Sequence, residues 1–134
     1  MRRIILVAAL WVVSACSGAE SDSAREPAEV AAAPEVMQSL AADGQPAVGK
    51  YKITTSEGEV LMEELRADGT YITTKDGQVV ERGNWVQPSP ELYCYTKDQD
   101  GATEQCNSEL IDEAGVWSSR DAEGKVATVE RAPA

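Results

Sequence analysis

The sequence predicts an all-β protein: an antiparallel, eight-stranded up-and-down meander that closes as a small barrel, with an open two-layer β-sandwich as the alternative. Three observations predict it. From residue 48 onward, turn signals recur at short intervals: Glu57-Gly58, Asp68-Gly69, Asp76-Gly77, Pro88-Ser89-Pro90, Asp100-Gly101, Glu113-Ala114-Gly115 and Glu123-Gly124. Glycine reaches the positive φ that tight hairpins require. The runs between these turns are β-prone and in places alternate apolar with polar, and no long window has helical periodicity.

Eight segments follow, at about 49–56, 59–66, 70–75, 78–86, 91–97, 103–111, 116–120 and 125–131. In the first, Tyr51 and Ile53 alternate with Lys50, Lys52 and Thr54, so the apolar pair is expected to point inward. The second, Val60 to Leu65, has no clean alternation, and its faces stay unassigned. Its adjacent Glu63 and Glu64 fall on opposite faces of any regular strand, so they are not a catalytic dyad. In the fifth, Tyr93 and Tyr95 share one face while Leu92 and Cys94 take the other. Sequential hairpins explain an internal echo as well. Tyr51-Lys-Ile-Thr-Thr-Ser-Glu-Gly-Glu-Val60 matches Tyr71-Ile-Thr-Thr-Lys-Asp-Gly-Gln-Val79, and more weakly Trp117-Ser-Ser-Arg-Asp-Ala-Glu-Gly-Lys-Val126. Closing the meander removes the exposed sheet edges.

Gly49-x-Tyr51, Asp68-Gly69-Thr70-Tyr71 and Gly83-x-Trp85 are similar to strand-opening motifs of small exported β-meander domains. Such a glycine lets an aromatic ring pack over the backbone. These rings are expected to fill the core rather than to stack on a ligand, because the chain has no Phe and few other large residues.

The segment ahead of the barrel has a different character. Met1-Arg2-Arg3 is a basic opening, and Ile4 to Val13 is an apolar run of ten residues, half of the roughly 20 that a membrane-spanning helix needs. Residues 1–15 are therefore expected to be a signal peptide. Val13-Ser14-Ala15-Cys16 resembles the lipobox of bacterial lipoproteins. That resemblance implies that Cys16 is lipidated and becomes the mature N-terminus, with the membrane as partner through the lipid. Ser17 in the next position fits an outer-membrane lipoprotein facing the periplasm of the bacterial cell envelope. Residues 16–47, rich in Ala, Glu, Ser and Pro, are expected to form the lipidated start and a flexible tether. A short helix docked on the domain is an option from Pro34 through Val36 and Leu40 to Gly44. The barrel domain is then 48–134.

With Cys16 lipidated, Cys94 and Cys106 remain as a pair in an oxidising compartment. Their disulfide would close a loop of about 13 residues, worth about 3 kcal/mol in the chain-entropy model. That is useful to a domain of about 85 residues, which buries only about 60–65% of its unfolded surface.

Chemistry is scarce. There is no histidine, which removes His-based nucleophile activation, proton transfer and metal ligation. No free thiol is expected in the mature domain. Asp98-x-Asp100-Gly101-x-x-Glu104 has only part of a calcium loop and is expected to be an acidic hairpin turn. No catalytic residue, metal ligand or cofactor is assigned. Loss of Arg2 and Arg3 with the leader takes the formal net charge from −11 to −13, which argues against nucleic-acid binding. The sequence thus points to a non-enzymatic envelope protein that binds or scaffolds another envelope component. Two alternatives stand beside it: a carrier of a small apolar ligand, and an inhibitor of a basic enzyme. In plan the chain is similar to lipid-anchored lysozyme inhibitors, although it lacks their Ser-Gly-x-x-Tyr type of loop.

Overall fold

A computed structural model describes residues 39–134. They form a closed barrel of eight antiparallel strands in sequence order: β1 (Gly49–Thr54), β2 (Val60–Leu65), β3 (Thr70–Lys75), β4 (Gln78–Ser89), β5 (Leu92–Lys97), β6 (Gln105–Ile111), β7 (Trp117–Arg120) and β8 (Val126–Arg131). Pairing of β1 with β8, Tyr51 opposite Arg131 and Ile53 opposite Val129, closes the sheet and excludes the sandwich.

The turns behave as their residues require. Residues 55–59, 66–70, 112–116 and 121–125 share one pattern. The first amide of each donates to the last carbonyl, and a glycine near +80° donates back to the first carbonyl. These are three-residue hairpin loops with the glycine in the left-handed position. Asp76-Gly77 is a two-residue turn with both φ values positive, 52° and 80°, the primed geometry that matches strand twist.

One turn lies elsewhere than the sequence suggested. Instead of ending near residue 86, β4 runs for 12 residues through Pro88 to Ser89, and the chain reverses at Pro90-Glu91. The ladder is irregular between Val86 and Ser89. An irregular stretch tolerates Pro88, which has no N–H to donate to a regular ladder.

The predicted strand faces are observed. Tyr51 is buried, and Ile53, Tyr93 and Tyr95 line the interior with it. In β2, whose faces the sequence left open, Leu61, Glu63 and Leu65 line the interior. Val60 and Met62 are exposed, and Glu64 pairs with Arg66. The three echoed segments put Tyr51, Tyr71 and Trp117 at or near the starts of β1, β3 and β7, all buried. Trp85 joins them in the core, and its indole N–H donates to the Arg66 carbonyl at 3.1 Å.

Residues 39–47 depart from the tether expected of them. Leu40 bridges to Pro46, Gly44 N–H donates to the Ala41 carbonyl, and no helix forms over this stretch. Ala41 and Ala47 are buried in the same core as Tyr51 and Trp117, and the Tyr51 hydroxyl donates to the Ala47 carbonyl at 2.6 Å. The Arg131 guanidinium holds Asp43 through two bonds, 2.8 and 3.0 Å, and lies 4.9 Å over the Tyr51 ring. The folded unit therefore begins before residue 48. The physical reason is that Ala41 and Ala47 bury their methyl groups in the core while the Tyr51–Ala47 and Arg131–Asp43 bonds hold the backbone against the barrel. Cys16, the signal peptide and residues 34–38 of the suggested helix lie outside the described residues.

Candidate functional site

A barrel of this size can be filled by its own side chains. This one is not: an open cavity of about 360 Å³ lies inside it. Short residues create the space. Thr73, Ser119, Ala127 and Val129 face inward where larger residues would close it. Ala41 lines the end where residues 39–47 pack, while Thr55, Ser56 and Glu57 from the β1–β2 turn and Asp121 and Lys125 from the β7–β8 turn line the opposite mouth.

The aromatic residues divide between two roles. Tyr71 and Trp85 are the largest fully buried side chains and fill the core as expected. The Tyr71 ring packs over Gly83, where an added Cβ would come within 2.8 Å of the ring and 2.0 Å of the Thr96 carbonyl oxygen. That is the ring-over-backbone packing the Gly83-x-Trp85 motif suggested, with Tyr71 supplying the ring. Tyr51, Tyr93 and Trp117 belong to the same buried core and, together with Tyr95, also line the cavity. Tyr51 and Trp117 meet edge to face at 5.6 Å, and Tyr93 stacks on Tyr95 at 5.8 Å.

Carboxyl groups face this aromatic wall. Glu63 on β2 accepts from the Thr73 hydroxyl at 3.1 Å. Burial is the main influence on it and pushes its carboxyl up to about 7, aided by the negative fields of Glu81 and Glu109, while contacts with Thr73 and Tyr93 work the other way. Glu109 on β6 is buried and accepts from the Trp117 indole N–H. Its carboxyl is also raised by burial, against the stabilising contacts with Ser119 and Trp117. Glu81 accepts from the Tyr71 hydroxyl at 2.8 Å and pairs with Lys97 at 2.7 Å. Asn107 donates to the Ser119 hydroxyl at 3.2 Å, adding a neutral polar segment between β6 and β7. The Tyr93 hydroxyl is buried beside Glu63 and makes no hydrogen bond of normal geometry within the described residues. An unpaired buried hydroxyl costs about 1–3 kcal/mol.

The arrangement offers an apolar, partly aromatic chamber crossed by hydrogen-bonding groups, the make-up of a small-molecule site. Glu63, titrating near neutrality, is able to donate or accept a proton there.

Of the residues singled out in the sequence, Cys94 and Cys106 are joined. They sit directly opposite each other on β5 and β6, Cα atoms 4.0 Å apart, and staple neighbouring strands. Glu104 lies beside them, but sulfurs bonded to each other offer no thiolate to a metal. The carboxylates of Asp98, Asp100 and Glu104 do not converge into a ligand cluster. Glu63 and Glu64 do lie on opposite faces, as alternation requires. The grouping of Glu63 with Glu109 and Glu81 was missed, because strand register brings them together from β2, β6 and β4. The only hint of it was the broken alternation of β2.

No protein-family model, curated protein or solved structure matches the chain.

Proposed function

We propose that the protein is a non-enzymatic, lipid-anchored module of the bacterial cell envelope that binds a small ligand inside its barrel. The cavity carries this proposal. Leaving space in a core costs about 24 cal/mol per Å³ when a large side chain is lost, and a domain this small has little stability to spare. A chamber lined by four aromatic rings and crossed by polar groups, among them a buried hydroxyl without a bond of normal geometry, is better explained by a guest than by packing. The resemblance of Val13-Ser14-Ala15-Cys16 to a lipobox supports the anchor at Cys16, and the acidic surface supports membrane contact through acyl chains alone.

Titration of the full-length protein with the neutral fluorophore N-phenyl-1-naphthylamine tests the binding. Saturable enhancement is expected, and Ala127→Trp, which fills the chamber from β8, should abolish it. Absence of saturable binding, or binding untouched by Ala127→Trp, contradicts it. A hydrolase activity lost in Glu63→Gln would replace binding with catalysis.

A further inference from the structure

Five acidic residues line the cavity, Glu57, Glu63, Glu81, Glu109 and Asp121, against one basic residue, Lys125. A further cation, Lys97, is already paired with Glu81. An anionic guest would meet net repulsion in a setting where low dielectric strengthens every charge interaction. A purely hydrocarbon guest would leave Glu63 and Glu109 without the donors they have room for. A bound ammonium favours the ionised form of Glu63, which has about four acceptor positions, and among bonds of normal geometry Thr73 fills one of them.

A second, independent observation points the same way. The Tyr93 hydroxyl is more than nine-tenths buried, sits on a cavity-lining residue and makes no hydrogen bond of normal geometry among the described residues. Beside the Glu63 carboxyl it has an O–H to give that group and an oxygen lone pair left to accept from a guest. An alkylammonium has three donors and no acceptor, so it complements two carboxylates and a phenol oxygen where an alcohol or a carboxylic acid does not. The rings of Tyr51, Tyr95 and Trp117 supply the apolar and cation-attracting walls for the rest of such a molecule.

Resting on the ligand-binding function proposed above, we infer that the cavity selects a small organic amine, its ammonium group held between Glu63 and Glu109 beside the Tyr93 hydroxyl and its apolar body against Tyr51, Tyr95 and Trp117. Specificity comes from the inward-facing carboxylates and affinity from the aromatic walls.

Isothermal titration of the full-length protein with three matched probes tests this: 1-naphthylmethylamine, 1-naphthalenemethanol and 1-naphthoate. The amine is expected to bind at least about tenfold more tightly than the alcohol, as charge-assisted bonds are stronger than neutral ones, and the naphthoate not measurably. In Glu63→Gln/Glu109→Gln the amine should lose its advantage while alcohol binding persists, which also shows that the variant is folded. If the wild-type protein binds the alcohol or the naphthoate as tightly as the amine, ligand binding survives and amine selectivity falls. If none of the three binds, both fall, and the wild-type comparison decides this whether or not the double variant folds.

Discussion

At the scale of single residues, Glu63 sets the behaviour of the interior. Its folded-state carboxyl titrates at about 7, against an ordinary value of 4.5. A raised carboxyl favours folding when protonated, so its contribution is intact below about pH 4.5 and is lost as pH rises through 7. The groups around it are Tyr51 opposite on β1, Thr73 on β3, Glu81 on β4, Tyr93 on β5 and Glu109 on β6. The two acids among them raise it further as they ionise. Glu63→Gln is therefore expected to match the wild-type protein in stability near pH 4 and to exceed it by about 3 kcal/mol at pH 8, the equivalent of a shift of this size. Urea denaturation at the two pH values checks it. An advantage that grows toward low pH would have the wrong sign. The sequence placed Glu63 and Glu64 on opposite faces correctly but did not say which one pointed inward, because an inward glutamate breaks the apolar alternation used to find the inner face.

At the scale of elements, two contacts strengthen the ladder from β3 to β6. Gly83 leaves room for the Tyr71 ring and for the Thr96 carbonyl, and a methyl group there would lie 2.0 Å from that oxygen. Gly83→Ala is expected to cost at least about 3 kcal/mol, toward the upper end for overpacked positions, because backbone rather than a flexible side chain must move. A shift in the thermal midpoint measures it. Joining Cys94 to Cys106 fixes β5 on β6 across the longest turn, and replacing both by serine should lower stability by about 3 kcal/mol with the same fold by circular dichroism. No change on adding reductant would show that the bridge is not formed in solution. Hairpins were legible because aspartate and glycine announce them locally. The Pro88 region was not, since proline marks a turn and an irregular strand equally well, and only the pairing of Val86 with Cys94 and of Ser89 with Leu92 distinguishes them.

At the scale of the whole molecule, the described residues form a barrel with residues 39–47 packed on its core at one end and Glu57, Asp121 and Lys125 from two turns lining the other. Asp43 and Arg131 secure that packed segment through a part-buried, two-bond contact. Asp43→Ala should cost about 1.5–3 kcal/mol, the range for bonds to charged groups. It should also speed amide exchange at Ala41, Gly44 and Ala47, whose N–H groups are bonded within residues 39–47. Unchanged exchange there would mean that the segment is held by packing alone. Closure of β1 on β8 was foreseen from the edge problem that eight sequential strands pose. The docked segment was not, because Ala41 and Ala47 have the same composition as the stretch before them, and small residues become informative only when a surface exists to receive them. The cavity was least legible of all. Whether a small barrel is solid or open depends on the summed volume of inward residues from all eight strands, a quantity that no local pattern carries.

The central claim is that this chamber holds a guest. Mass spectra of the protein expressed from its full gene with its own leader, recorded under native and then denaturing conditions, test it most directly. An added mass seen only under native conditions, and missing from Ala127→Trp, is the predicted result. Identical native and denatured masses in protein taken from cells, together with no uptake of the naphthyl probes, would contradict it.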